Sequence, residues 1–84
     1  MNEHDEKIAT SDYGLISLLR YFGYCPLDIF SQFGRVSFIF ESCQPIKDIC
    51  KRYELGQPFS VNISQLFLLA KEVKGKIMAS KYGG

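Results

Sequence analysis

The chain has few of the residues on which most enzymatic chemistry depends. Its 84 residues include one histidine, His4, and three cysteines, Cys25, Cys43 and Cys50. An odd count of three excludes a disulfide scaffold and points to reduced thiols in a cytoplasmic setting. No apolar run approaches the roughly 20 residues that a membrane span requires. The opening residues are polar and acidic, unlike a secretory leader. Net charge is only +1, so neither sign dominates. There is no Cys-x-x-Cys, no histidine pair and no glycine-rich phosphate cradle.

These absences weigh against an enzyme. A nucleophile needs a base beside it, and the one histidine lies in the N-terminal lead-in. Cys43 and Cys50, seven residues apart, can share a helix face, where a buried thiol acts as a small hydrophobe. Glu3, His4, Asp5 and Glu6 are adjacent in a tail, a poor preorganised metal site. Asp28, Glu41, Asp48 and Glu54 fall at strand ends or helix surfaces, not as a buried acid–base pair. No catalytic residue, metal or cofactor is expected.

What remains is a globular composition, 46% hydrophobic and 23% charged. Residues 1–9 read as a flexible tail and residues 10–82 as a single small domain. A domain of this size buries roughly 60–65% of its unfolded surface, so a second copy or a larger partner would supply missing burial. The charge is uneven. Glu3, Asp5, Glu6 and Asp12 outweigh Lys7 at one end, while Lys71, Lys74, Lys76 and Lys81 outweigh Glu72 at the other. Such an asymmetry marks either a binding surface or a solvated helix end that suits the helix dipole.

Thr10 or Ser11 can cap a first helix, with Asp12 in its first turn. Leu15, Leu18, Leu19 and Phe22 recur at helical spacing, and Gly23 stops the helix. Gly14 weakens its first turn by about 1 kcal/mol relative to Ala. Residues 26–32 and 35–41 alternate as strands around a Phe33-Gly34 turn, forming a β-hairpin. Val36, Phe38 and Phe40 share one face; Arg35, Ser37, Ile39 and Glu41 share the other. Ser42 can cap a second helix with the stripe Ile46, Ile49, Cys50 and Tyr53, an Asp48–Arg52 pair outside and Gly56 at its end. Residues 59–61 form a possible third, short edge strand. Asn62 and Gln65 resemble a capping box for a last helix. Its core face carries Ile63, Leu66, Leu69, Ala70, Val73 and Ile77. The expected class is α+β, a hairpin packed by three helices in the order α-β-β-α-(β)-α.

Two surfaces stand out as interaction candidates. On the last helix, Phe67 and Met78 fall beside Lys71 and Lys74, with Leu68 nearly opposite the core. This fits a protein interface in which Phe67, Leu68 and Met78 are covered, unless the helix packs Phe67 away. It also fits nucleic-acid contact through Lys71, Lys74 and Lys81, joined by Arg35, Lys51 and Arg52. On the hairpin, Phe38 and Phe40 resemble a base-stacking platform, but their strongly apolar face suits the core better. The other face, with Phe30 and Ile39, and the free strand edges would gain from pairing with a second copy.

One resemblance adds to this reading. Thr10-Ser11-Asp12, Leu18-Leu19-Arg20-Tyr21-Phe22-Gly23-Tyr24, the run from Gly34 to Glu41, and Tyr53-Glu54-Leu55-Gly56 resemble landmarks of a small domain-of-unknown-function family of phage, archaeal and bacterial proteins. The likeness spans roughly residues 8–78, with a departure at Cys25-Pro26, where that family is more polar. It implies the same fold and a mobile-element setting, and it implies no activity. The expected function is a non-enzymatic interaction module. It would self-associate as a homodimer and bind a protein or nucleoprotein complex, for instance as an inhibitor of a host defence system. The alternative is a small nucleic-acid-binding protein using the lysine stripe.

Overall fold

The computed structural model describes residues 7–82, with side chains for residues 7–80. Six elements follow in the order β1 (Lys7–Thr10), α1 (Tyr13–Tyr21), β2 (Asp28–Gln32), β3 (Arg35–Glu41), α2 (Gln44–Glu54) and α3 (Ile63–Tyr82). The class is α+β: a three-stranded antiparallel sheet with three helices. Strand order is β1-β3-β2, so the two outer strands run parallel to one another with β3 between them. Helix α1 makes the crossover that joins them.

The third strand is not where the sequence placed it. Residues 59–61 have no ladder, and the third strand is β1, whose Lys7, Ile8 and Ala9 fall in the expected tail and whose Thr10 is the expected cap. Its register sets Ile8 against Phe40 and Thr10 against Phe38. The rest of the tail, including His4, lies outside the described residues. Strand β2 begins at Asp28 rather than Pro26, although the Leu27 amide already donates to the Ile39 carbonyl at 2.6 Å.

The hairpin forms as its alternation requires. Gln32 pairs with Arg35, leaving Phe33 and Gly34 as a two-residue loop. Both have positive φ, 54° and 78°, the combination that matches the twist of the strands. Glycine adopts it freely, but a phenylalanine there is strained by on the order of 1–2 kcal/mol.

Val36, Phe38 and Phe40 are buried on one face of the sheet. Against them pack Leu15, Ile16 and Leu19 of α1, Ile46 of α2 and Val73 of α3. Residues 15–19 are all buried, which on a helix covers more than a full turn, so the middle of α1 is enclosed on every side. The buried Ser17 hydroxyl donates to the Tyr13 carbonyl at 2.9 Å, so no polar group is stranded there. The slab measures 41 × 33 × 20 Å, and no described helix packs on its second sheet face.

Helix ends refine the expected caps. Asp12, not Thr10 or Ser11, caps α1: its Oδ1 accepts from the Leu15 amide at 3.1 Å. Thr10 instead steadies the cap by accepting from the Asp12 amide. The same Asp12 oxygen accepts the Tyr53 hydroxyl at 2.8 Å, which ties α2 to the start of α1. This bond, more than burial, pushes the Tyr53 phenol above its ordinary value. Cys43, not Ser42, occupies the cap of α2 and makes no capping bond. The Asp48–Arg52 pair does not form. Asp48 accepts from Gln44, and Arg52 donates to the Pro58 carbonyl while lying 4.5 Å from the Phe59 ring centre.

Candidate functional site

Helix α3 carries the surface that the sequence singled out. Asn62 caps it, its Oδ1 accepting from the Gln65 amide at 3.0 Å. The Asn62 amide donates to the Tyr21 hydroxyl, which fixes the cap to the end of α1. Further along, the Tyr13 hydroxyl donates to the Ala70 carbonyl at 2.7 Å. Arg20 Nη2 meets Glu72 Oε1 at 2.8 Å. The Arg20 guanidinium holds the Glu72 carboxyl below the ordinary carboxylate range, and Glu72 in return raises Arg20. Three side chains of α1 thus hold α3 along one flank.

That flank takes only part of the helix. Val73 is buried and Leu66, Leu69, Ala70 and Ile77 are half-buried, as the apolar spacing requires. Ile63, expected on the core face, is exposed at the first position, beyond the edge of the packing. Phe67, Leu68 and Met78 stand 63%, 66% and 47% exposed, so Phe67 is a surface residue. Steps of three and four residues link Ile63, Phe67, Lys71, Lys74 and Met78 into one continuous strip. Leu68 lies about 100° further round and points elsewhere. Lys71 and Lys74 have no carboxylate partner among the described residues. The Lys81 side chain lies outside the described residues.

The remaining cations do not join this strip. Lys51 and Arg52 sit on α2, and Lys51 borders a depression with Ile8, Ala9, Thr10 and Lys47. Arg52 is already held by Pro58 and Phe59. Arg35 lies on the open sheet face at the hairpin end. The six residues of the nucleic-acid alternative are thus dispersed over three elements. Phe38 and Phe40, the other stacking candidates, are fully buried.

The cysteines divide by burial. Cys43 and Cys50 pack against the core, and burial pushes the Cys50 thiol up, away from the reactive thiolate. Cys25 is exposed, and Arg20 Nη1 donates to its Sγ at 3.2 Å. Among the described residues no three His, Cys, Asp or Glu side chains gather to hold a metal. No described helix is long and apolar enough to cross a membrane.

A second exposed cluster was not singled out by the periodicity. Phe30, Gln32, Phe33, Arg35 and Ser37 line one shallow depression of about 410 Å³ at the hairpin end. Its sequence signal was an aromatic residue in a two-residue hairpin loop, a position that ordinarily takes Asn, Asp or Gly. No family model, no curated protein and no solved structure matches the chain.

Proposed function

We propose that the chain is a non-enzymatic interaction module that docks the Ile63–Phe67–Lys71–Lys74–Met78 strip of α3 onto a protein partner. The observation that carries this reading is the exposure of Phe67 and Met78 on a helix whose core-facing flank is already satisfied. Ile63 and Phe67 are one turn apart and Met78 lies about 16 Å further along the same line, so the strip offers two apolar ends around a basic centre. Lys71 and Lys74 at that centre select a partner with carboxylates between apolar contacts. A second copy is the weaker fit for this strip. A two-fold axis through its centre would set the lysines of one copy against those of the other. Leu68, on a separate line of the helix, would take part at the rim. The mobile-element setting, with inhibition of a host defence as one form, rests on the family resemblance alone.

The test is differential capture with immobilised wild type and the Phe67→Asp, Met78→Asp double variant. A protein retained by wild type, lost by the variant and weakened by salt supports the reading. Identical retained sets for both chains overturn it. Sedimentation of the wild type alone separates the two occupants: a dimer that dissociates in the double variant would move the assignment to self-association.

A further inference from the structure

We propose that the hairpin end of the open sheet face is a stacking platform for single-stranded nucleic acid, built by Phe30 and Phe33 with Arg35. It is distinct from the α3 strip and does not depend on it.

The alternation that buries Val36, Phe38 and Phe40 puts Arg35 and Ser37 on the opposite face. Register sets Phe30 beside Ser37 and Gln32 beside Arg35, so these four side chains form a compact patch on the uncovered face. Phe33 extends it from the turn. Its ring is 98% exposed and therefore packs against nothing among the described residues. It also occupies a backbone conformation, φ 54°, that suits Asn or Gly. The fold gains nothing from this ring and bears strain to hold it there. Strained, exposed positions of this kind are where a contact function is sought. Phe30, 44% exposed, presents the second ring.

The polar groups define the ligand. No carboxylate lines the depression, and the Arg35 guanidinium has no ion-pair or side-chain hydrogen-bond partner among the described residues. The acidic groups of the open face, Asp28 and Glu41, lie level with Ile39 and beyond it, roughly 13 Å or more along β3 from Arg35. Lys7 stands across from Glu41. The field therefore favours an anion at the hairpin end. Two free aromatic faces, one guanidinium and the Gln32 amide suit unstacked bases joined by a phosphate, while the Ser37 hydroxyl is shared with Ser11 at 3.1 Å. A duplex keeps its base faces stacked inside and offers nothing to these rings, so the preference is for a single strand.

One cation neutralises about one phosphate. Affinity should then fall with salt at a slope of about −0.7 on logarithmic axes. Binding through Lys71 and Lys74 would give about twice that slope.

The test is an amide-resolved NMR titration with hexathymidylate, alongside a duplex dodecamer, repeated at two salt concentrations. The proposal expects shifts confined to the hairpin and its β1 neighbour, a weak response to the duplex and the shallow slope. Phe33→Asn should weaken binding on the order of tenfold, the loss of one stacked base. The same variant should raise the melting temperature, because Asn-Gly suits this turn. A loss of binding in a more stable protein cannot be ascribed to misfolding. Arg35→Gln should flatten the salt dependence. No response to millimolar hexathymidylate overturns the proposal and leaves the hairpin end to a protein contact. Shifts centred on residues 63–74, away from the hairpin, or unchanged binding by Phe33→Asn, overturn it as well; Ile77 borders Gly34 and Arg35 and does not discriminate.

Discussion

Helices α1 and α3 use similar residues to opposite ends. Helix α1 has nine residues, of which five in succession are buried. Helix α3 has 20 residues, and among its described side chains Val73 alone is fully buried. The shorter helix packs against the sheet face, α2 and α3, so its five central residues meet protein all round. The longer one packs on α1, β2 and β3 along one flank and leaves the rest of its circumference exposed. Apolar content does not separate them: Phe67 and Leu68 are as hydrophobic as Leu18 and Leu19. Position in the layer decides which residues contribute to stability and which remain available to a partner.

That contrast can be broken most directly by truncation. Leu19→Ala removes a fully buried side chain and should cost about 2–5 kcal/mol, a large part of the 4–13 kcal/mol, roughly, available to a domain of this length. Phe67→Ala should stay within about 0.5 kcal/mol of wild type. Urea denaturation of both variants checks this, and a comparable loss at Phe67 would place that ring in the core.

The enclosure of α1 can be sharpened at Gly14. A Cβ there would lie 2.6 Å from the Tyr53 hydroxyl oxygen, which is fixed on Asp12. Gly14→Ala should therefore fail to deliver the gain of about 1 kcal/mol that helix propensity offers. In a Tyr53→Phe background the nearest ring carbon would be 3.5 Å away, an ordinary contact, and the gain should return. A double-mutant cycle in urea measures the difference, and equal effects in both backgrounds would show that Tyr53 does not restrict this site.

The smallest effect concerns the Arg20–Glu72 bridge between the two helices. Because Arg20 lowers the Glu72 carboxyl, the pair stabilises the fold at pH values above the ordinary carboxylate range. That contribution is lost as pH falls through the depressed folded value of Glu72. Glu72→Gln should thus melt slightly below wild type at neutral pH, and the difference should close in acid. Melting curves across that range check the sign; a difference that widened in acid would contradict it.

Much of the scaffold was legible. Residues 35–41 alternate strictly, so their buried face could be named. The helices end at Gly23 and Gly56 as expected, with the Tyr24 and Gln57 amides returning to Leu19 and Arg52. Strand β1 was not legible, because Lys7-Ile8-Ala9-Thr10 holds one large apolar residue and becomes a strand only through its ladder with β3. Residues 59–61 have strand-like composition, but Phe59 is held by Arg52 and lies 6.1 Å from Phe22, ring centre to ring centre, off the sheet edge. The α3 strip was legible as a face. Phe33 was legible as a turn residue and not as a site, since its strain and exposure are properties of the closed hairpin.

By itself the sequence determined the α+β class, the apolar face of β3 and the division of α3 into apolar and lysine-bearing lines. Each follows from spacing along a single element. Tertiary structure alone decided that the middle of α1 is enclosed, that Phe67 is outside and that the Phe30 and Arg35 face of the sheet is uncovered. The physical reason is that periodicity orients a side chain only about its own element's axis. Whether that direction ends in water or in protein depends on which distant segments pack there.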